Sequence, residues 1–346
     1  MGDKKDADIA VLWQSARLRI TDQFTIPPEI LNVGDSVIGT LGNFSASIGK
    51  AKSKKTFNVS AIVAAAMVNG TVLRYRASLP EDKLKILYID TEQSPYHCQR
   101  VMRRILCLVG LPLDKEPQNL EFIALRRFTP EIRIAIIEKA IYQTEGLGLV
   151  IIDGIRDLAY DINSPSEATN LISKLMQWTD ERQIHIHTVL HQNKGDDNAR
   201  GHIGTELNNK AETVLQVAKD EKDKEVSVVS AVHIRDIEFD KFAFRINDNA
   251  LPELADDYVL KDDGMSKGFS YTELTEDQHY KALTVTFSEQ EVMGYSVLLE
   301  SLAKGYSSIG CDYGRNKIVK LKTFLCNKRM IVQENKKYKY NPDFHY

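Results

Sequence analysis

Cysteine is scarce: Cys98, Cys107, Cys311 and Cys326 are all there is in 346 residues, and no two of them stand in a C-x-x-C spacing. That excludes a disulfide-stapled small fold and a cysteine zinc site, and reduced thiols in a cytoplasmic protein are the simplest expectation. No apolar run is long enough to span a bilayer, and the first ten residues are charged where a signal peptide would be apolar. No membrane partner is expected. Internal repeats and low-complexity tracts are also missing. What remains, 43% hydrophobic and 27% charged residues with a net charge of −3, is the composition of a globular protein long enough for one large α/β domain and one small one.

The most informative stretch is Ser45 to Thr56. A short β-like run ends in Gly49-Lys50-Ala51-Lys52-Ser53-Lys54-Lys55-Thr56. A phosphate loop has the form G-x-x-x-x-G-K-[ST], in which backbone N–H groups wrap the phosphates, the Lys reaches the outer ones and the hydroxyl serves Mg²⁺. Gly49, Lys55 and Thr56 fall at that spacing. Lys54 stands where the second Gly belongs. A helix-forming run from Phe57 to Val68 follows and supplies the helix N-terminus that anion binding uses. Taken alone, a solvated basic turn would look much the same.

Two further apolar runs end in acids: Lys85 to Asp90, followed by Thr91-Glu92-Gln93, and Gly148 to Asp153. Continuous apolar runs of this length predict buried parallel strands, and ligands of an open parallel sheet sit beyond the carboxyl ends of its strands. Asp153 then fits the acid of a Mg²⁺ site and Glu92 a base acting on an attacking water. Helices are predicted at Pro95 to Val109, Pro130 to Thr144, Glu167 to Arg182 and Gly204 to Ala211. Strands are predicted at Ile184 to Leu190, Val214 to Ala218, Val226 to His233 and Phe242 to Ile246. The segment Asp6 to Ile20 predicts an amphipathic helix with Ile9, Leu12, Trp13, Ala16 and Ile20 on one stripe, packed on its own subunit's core or on a neighbour's.

The order of these motifs, with His191-Gln192 and Arg200-Gly201-His202-Ile203-Gly204 after them, resembles the RecA-like ATPases. Among those it is most similar to the RepA-type hexameric helicases and related ATPases of plasmids and mobile elements, over about residues 25 to 250. The resemblance implies an α/β fold with a RecA-like, mainly parallel sheet and helices on both faces. It also implies ATP and Mg²⁺ as cofactors and a homo-oligomer, with hexamers typical of the family. Residue by residue it implies phosphate binding by Gly49 to Thr56, metal binding by Thr56 and Asp153, and catalysis by Glu92. Gln192 matches the sensor of the γ-phosphate, and Arg235 an arginine reaching a neighbour's site. Arg200 and His202 lie in the segment that faces DNA in such rings. Lys54 departs from the pattern, which bears on nucleotide affinity and turnover.

Charge divides the rest of the chain. Asp248 through Asp277 carries nine acids against two lysines, a balance of −7, and Lys304 through Lys339 carries ten Lys and Arg against two acids, a balance of +8. The expected organisation is an ATPase domain over 1–250, an acidic linker over 251–286 and a small winged-helix-like DNA-binding domain over 287–346. In the last, Ser288 to Glu291 reads as a capping box opening a helix. Arg315 to Cys326 reads as a recognition helix offering Arg315, Lys317, Lys320 and Lys322, and a hairpin turning near Lys336 and Lys337 reads as a wing. A helical interface domain with solvated lysines is the alternative. His185, His187 and His191 could suggest a metal, but they alternate on a strand with no Cys or paired carboxylate to complete a ligand set.

Two functions fit these residues. One is an ATP-dependent motor or remodelling ATPase acting on DNA in replication or mobilisation of a genetic element. The other is a DNA-binding regulator or initiator whose degenerate loop binds nucleotide weakly or not at all.

Overall fold

The computed structural model describes residues 2–192, 199, 201–256, 258, 274–334 and 336–343. The chain opens with α1 (Gly2–Ser15), then β1 (Glu29–Val33), β2 (Ser36–Thr40) and β3 (Phe44–Gly49), which runs into α2 (Lys55–Val68). After the short pair β4 (Thr71–Val72) and β5 (Tyr75–Ala77), strands and helices alternate: β6 (Lys85–Asp90), α3 (Pro95–Leu108), β7 (Leu120–Ala124), α4 (Pro130–Gln143), β8 (Leu147–Asp153), α5 (Pro165–Arg182), β9 (His185–His191) and α6 (Gly201–Lys210). Four strands follow: β10 (Thr213–Lys219), β11 (Val226–Ile234), β12 (Phe242–Ile246) and β13 (Pro252–Leu254).

Among the described residues the main sheet has the order β13-β12-β11-β10-β3-β9-β8-β6-β7. From β10 to β7 all neighbours are parallel, and β11, β12 and β13 extend the sheet antiparallel. This is the expected α/β architecture. Its parallel strands are buried from end to end in β3 and β8, because helices cover both faces. One face carries α2 and α3, the other α4 and α5, each with its own apolar core. Among the described residues no helix is long and apolar enough to cross a membrane.

A second sheet, β2-β1-β5-β4, closes over α2 from outside. Enclosed between two sheets, α2 has no polar face: Val59 and Ala61 through Ala66 are all buried. The short strands of this layer, two to five residues long, give little periodicity to read from sequence. Helix α1 departs from expectation. It ends at Ser15 instead of Ile20, and Ile9, Leu12 and Trp13 are 57%, 61% and 62% exposed, so the stripe is not part of an apolar core among the described residues.

The C-terminal part is α7 (Glu276–Thr286), β14 (Val292–Met293), α8 (Tyr295–Ser307), α9 (Arg315–Asn327), β15 (Ile331–Glu334) and β16 (Lys337–Tyr340), with the strands in the order β14-β16-β15. It has its own apolar core, which includes Leu283, Leu298, Leu321 and Ile331. The capping box is not at Ser288. It is at Thr275, whose hydroxyl accepts from Gln278 N while its own N–H donates to Gln278 Oε1 at 2.8 Å, so α7 is an additional helix and the one expected to open at Ser288 begins at Tyr295 as α8. Ser288 lies past the end of α7, its hydroxyl donating back to Val285 O. Gly305 is needed inside α8 because a Cβ there would stand 2.1 Å from Thr286 Oγ1 and 2.5 Å from Ala282 O, where α7 crosses. The acidic stretch 251–286 therefore holds two ordered elements, β13 on the main sheet and α7 in the C-terminal core. Asp236 joins the units: it accepts from Val37 N at 2.8 Å and from Asn327 Nδ2, at the end of α9, at 2.9 Å.

Candidate nucleotide site

Strand register builds the site. Gly49 is paired with His191, Asp153 with Val189 and Asp90 with Asp153, so the ends of β3, β9, β8 and β6 finish along one edge. The 49–56 loop, Glu92 and Gln93 project from that edge. Residues 52–56 of the loop, Glu92 and Gln93 line a cleft of about 390 Å³ whose far wall is α3, with His97, Arg100 and Arg104.

The loop holds its shape without the second glycine. Lys54 takes that place at φ +68, in the left-handed region, and caps α2 through its backbone. A side chain there costs on the order of 1 kcal/mol. The Lys54 ammonium is tied to the β10–β11 turn by donating to Glu225 O at 2.5 Å, which offsets part of that strain. The first glycine cannot be replaced: a Cβ at Gly49 would lie 2.3 Å from Val217 O and 2.6 Å from Ser53 Oγ. Lys50, Ala51 and Lys52 are exposed on the outer turn, and Ser53 is buried beneath it with a hydroxyl that has no hydrogen-bond partner.

Lys55 points into the cleft and is buried. Its ammonium donates to Gly49 O at 2.8 Å and Lys50 O at 3.1 Å, and lies 3.1 Å from His191 Nδ1. Burial lowers its pKa to about 8, against the attraction of Asp153 and Glu92. Asp153 is also buried. It accepts from Tyr88 OH at 2.9 Å and Thr56 Oγ1 at 3.2 Å, and burial, aided by the neighbouring Asp90, raises its carboxyl to about 6. Thr56 and Asp153 thus meet directly at the cleft, a hydroxyl and a carboxylate of the oxygen-donor kind that a small hard cation takes.

Glu92 is partly exposed at the mouth. Its carboxyl is held below the usual range chiefly by the His191 imidazole, whose Nε2 is 3.7 Å from Oε1, so it is ionised at neutral pH. Its position is set by Asp90, which accepts from Glu92 N at 2.9 Å, Gln93 N at 2.7 Å and Gln93 Nε2 at 2.7 Å. Burial raises the Asp90 pKa against those bonds. Asp90 is a positioning residue that sequence reading passes over as a strand end.

His191 is the residue that sequence reasoning missed. It lies on the cleft between Lys55 and Glu92, whereas Gln192, next along β9 and facing the other way, is buried outside the cleft lining, its N–H donating to Gly49 O at 3.0 Å. The available signal was the alternation of His185, His187 and His191, which puts all three on one face of a strand that ends at the cleft. Further down the same face, His185 and His187 are occupied: His185 Nδ1 donates to Thr40 O at 2.8 Å, leaving Nε2 to accept from Ser45 Oγ at 2.7 Å. Ser45 Oγ then accepts from His187 Nδ1 at 2.8 Å, and His187 Nε2 accepts from Ser47 Oγ at 2.8 Å. Burial lowers the His187 pKa to about 3, so this chain of neutral groups locks β3 to β9 beneath the loop.

Arg235 is far from its own subunit's cleft. β11 runs antiparallel to β10, so its end lies at the opposite edge of the sheet from Gly49, and Arg235 there donates from Nη2 to Lys210 O at 3.2 Å. Asp236, next to it in sequence, is engaged elsewhere as described above. Arg200 lies outside the described residues, and His202 is exposed on α6. In the C-terminal unit Arg315 and Lys320 are exposed on α9, as are Lys336 and Lys337 at the β15–β16 turn, and Lys317 is half-buried. Lys322 does not point out with them. Its ammonium is over the rings of Tyr295, at 5.8 Å, and Tyr338, at 5.5 Å.

The sheet, the phosphate loop and the two acids at its edge define a P-loop ATPase domain of RecA-like α/β fold. The chain belongs to the AAA domain family, whose model (AAA_25) matches residues 19–197 and so takes in the loop, Glu92, Asp153 and His191. No curated protein matches it. Among solved structures it is similar to one titled "Crystal structure of the RadB recombinase", at 15% identity and a TM-score of 0.43, over 61% of this chain and 90% of that one.

Proposed function

We propose that this protein is an ATP-hydrolysing, DNA-associated motor or remodelling ATPase of the RepA-helicase kind, assembled as a homo-oligomer and serving replication or mobilisation of a plasmid or mobile element. The observation that carries the reading is the convergence of Lys55, Thr56, Asp153 and Glu92 on one cleft. The orphaned, buried Ser53 hydroxyl inside the loop, together with the Gly49 cradle that any Cβ would fill, fits a bound polyphosphate. Residues 49–56 would hold the ATP phosphates, with Mg²⁺ beside Thr56 and Asp153. The flat side chains of Phe57, His97, Arg100 and Arg104 at the other end suit an aromatic base.

When bound, Mg²⁺ supplies charge neutralisation on the phosphates. The chain's own part is then specific. Lys55 exchanges carbonyl acceptors for phosphate oxygens, and Glu92, ionised and fixed by Asp90, takes a proton from a water at Oε1. His191 bridges the two and is the side chain in place to register charge on the terminal phosphate, a role the resemblance gives to Gln192. Phosphate release measured with and without single-stranded DNA tests this function. Turnover that rises with DNA supports it, and nucleotide binding without turnover supports the initiator reading.

Affinity for magnesium nucleotide should follow a bell in pH. Asp153 must be ionised to serve the metal, which weakens binding below about 6, and Lys55 loses its charge above about 8. Ligand and metal favour the charged forms, so both limbs should move outward as ligand concentration rises. Titration calorimetry from pH 5 to 9 checks this, and a flat profile would remove both residues from the site.

The three-helix, three-strand C-terminal unit supports a winged-helix reading, with α9 entering a groove of DNA and the β15–β16 turn on phosphate. If about four of Arg315, Lys317, Lys320, Lys336 and Lys337 meet phosphates, log affinity for duplex DNA should fall with log salt at a slope of roughly −3 to −4. In the full chain, Lys320→Ala or Lys337→Ala should each flatten that slope by about one unit. Lys322→Ala should leave it unchanged. An unaltered slope in the first two variants would move the DNA contact to the segment around His202.

A further inference from the structure

β8 ends at Asp153, and the chain turns off the sheet at once. Gly154 makes that turn at φ +100, in the left-handed region, and opens the short turn Ile155–Leu158. The pairing of β6 with β8 carries on past both strands, because Thr91 N donates to Asp153 O at 3.1 Å and the Thr91 hydroxyl donates to Gly154 O at 2.8 Å. Glu92 is thereby laid across Gly154.

Adding one carbon shows how closely. A Cβ at Gly154 would stand 2.2 Å from Thr91 Oγ1, 2.9 Å from Glu92 Cγ and 3.2 Å from Glu92 Oε1. On its other side Oε1 is 3.7 Å from His191 Nε2. The carboxylate is lodged between the bare Cα of Gly154 and the imidazole, whereas Asp90 holds the backbone of residue 92. A glycine serving only a positive φ needs no such contact: Gly34, at φ +57 in the β1–β2 turn, has nothing within 4 Å of the same position.

We infer that Gly154 is the positioning residue of the Glu92 carboxylate, its missing side chain leaving the space in which the base is aimed at the cleft. Ordinary contact begins near 3.4 Å, so a methyl group at 2.9 Å from Cγ would displace the side chain by about 0.5 Å or more. A misplacement of about 1 Å can cost on the order of 100-fold in rate. The inference rests on the reading of Glu92 as the base in the proposed function and names what holds its side chain.

Phosphate release and nucleotide affinity of full-chain variants test it, at a temperature where each is folded. Gly154→Ala should lower turnover by about 10- to 100-fold with affinity within about threefold, whereas Gly34→Ala, which carries comparable left-handed strain, should keep both. Since Gly154 acts through Glu92, adding Gly154→Ala to Glu92→Gln should cost no further turnover. Affinity and turnover lost together, or a further loss of about tenfold in the Glu92→Gln background, would mark general damage and overturn the inference. Should Gly154→Ala fail to fold, Thr91→Ala removes the nearest contact, and Gly154→Ala in that background should still cost about 10- to 100-fold against Thr91→Ala alone. Turnover within about threefold of the reference, with Glu92→Gln inactive, overturns the placement of Gly154 and leaves Glu92 as the base. Full turnover in Glu92→Gln, or a wild-type chain that releases no phosphate, overturns both readings.

Discussion

Lys55→Ala should lower ATP affinity by at least about 100-fold, roughly 3 kcal/mol, while the fold stays intact. The lysine ammonium is the buried cation at the floor of the cleft, with Asp153 and Glu92 nearby but its protons directed at two loop carbonyls and His191. Lys52 and Lys54 also border the cleft, but Lys54 is tied to Glu225 and Lys52 is exposed, whereas Lys55 is the buried one. Burial already disfavours the charged lysine, so folding loses little with it and the melting temperature should hold within a few degrees. Fluorescence titration with a labelled ATP analogue measures the effect. An affinity within threefold of the parent would mean that the loop does not bind phosphate through this residue.

Glu92→Gln should lower turnover by about 10² to 10⁴ while nucleotide affinity stays within about threefold. The amide keeps the size and the backbone anchorage to Asp90 but cannot take a proton. The carboxylate is ionised at neutral pH, with His191 beside it, and its side chain stands at the mouth of the cleft, where a water would approach a terminal phosphate. Single-turnover kinetics with parallel binding measurements separate the two effects. Loss of affinity and turnover in equal measure would make Glu92 a structural residue. His191→Ala adds a check: its loss should raise the Glu92 pKa toward the ordinary carboxylate range, read by carbon-13 NMR of the Glu92 carboxyl, since the acid limb of activity is set by Asp153.

The C-terminal unit and helix α1 show why part of this architecture is hidden from sequence. The helix Arg315 to Asn327 and the hairpin after it are local patterns, with period and turn residues that can be read directly. The capping box at Thr275 competes with an equally good motif at Ser288. What decides between them is the pairing of Val292–Met293 with β16, a contact across more than forty residues. Likewise the stripe on α1 announces an amphipathic helix, but whether it is buried depends on surfaces the local sequence does not contain.

The sequence alone determined the chemistry of the site. The spacing of Gly49, Lys55 and Thr56 and the acids ending two apolar runs are linear patterns, and each follows from the needs of a phosphate loop or a parallel strand end. Only the tertiary structure decided which side chains meet. Pairing of Gly49 with His191 and of Asp90 with Asp153 puts His191, not Gln192, beside Lys55 and Glu92, because successive residues of a strand face opposite ways and register selects the one turned toward the cleft. The same holds for Lys54. Its sequence position marks a missing glycine, but a left-handed backbone with the ammonium tied to Glu225 lets the loop keep its form. Arg235, close to the motifs in order, is placed at the far edge of the sheet by the reversal of a single strand.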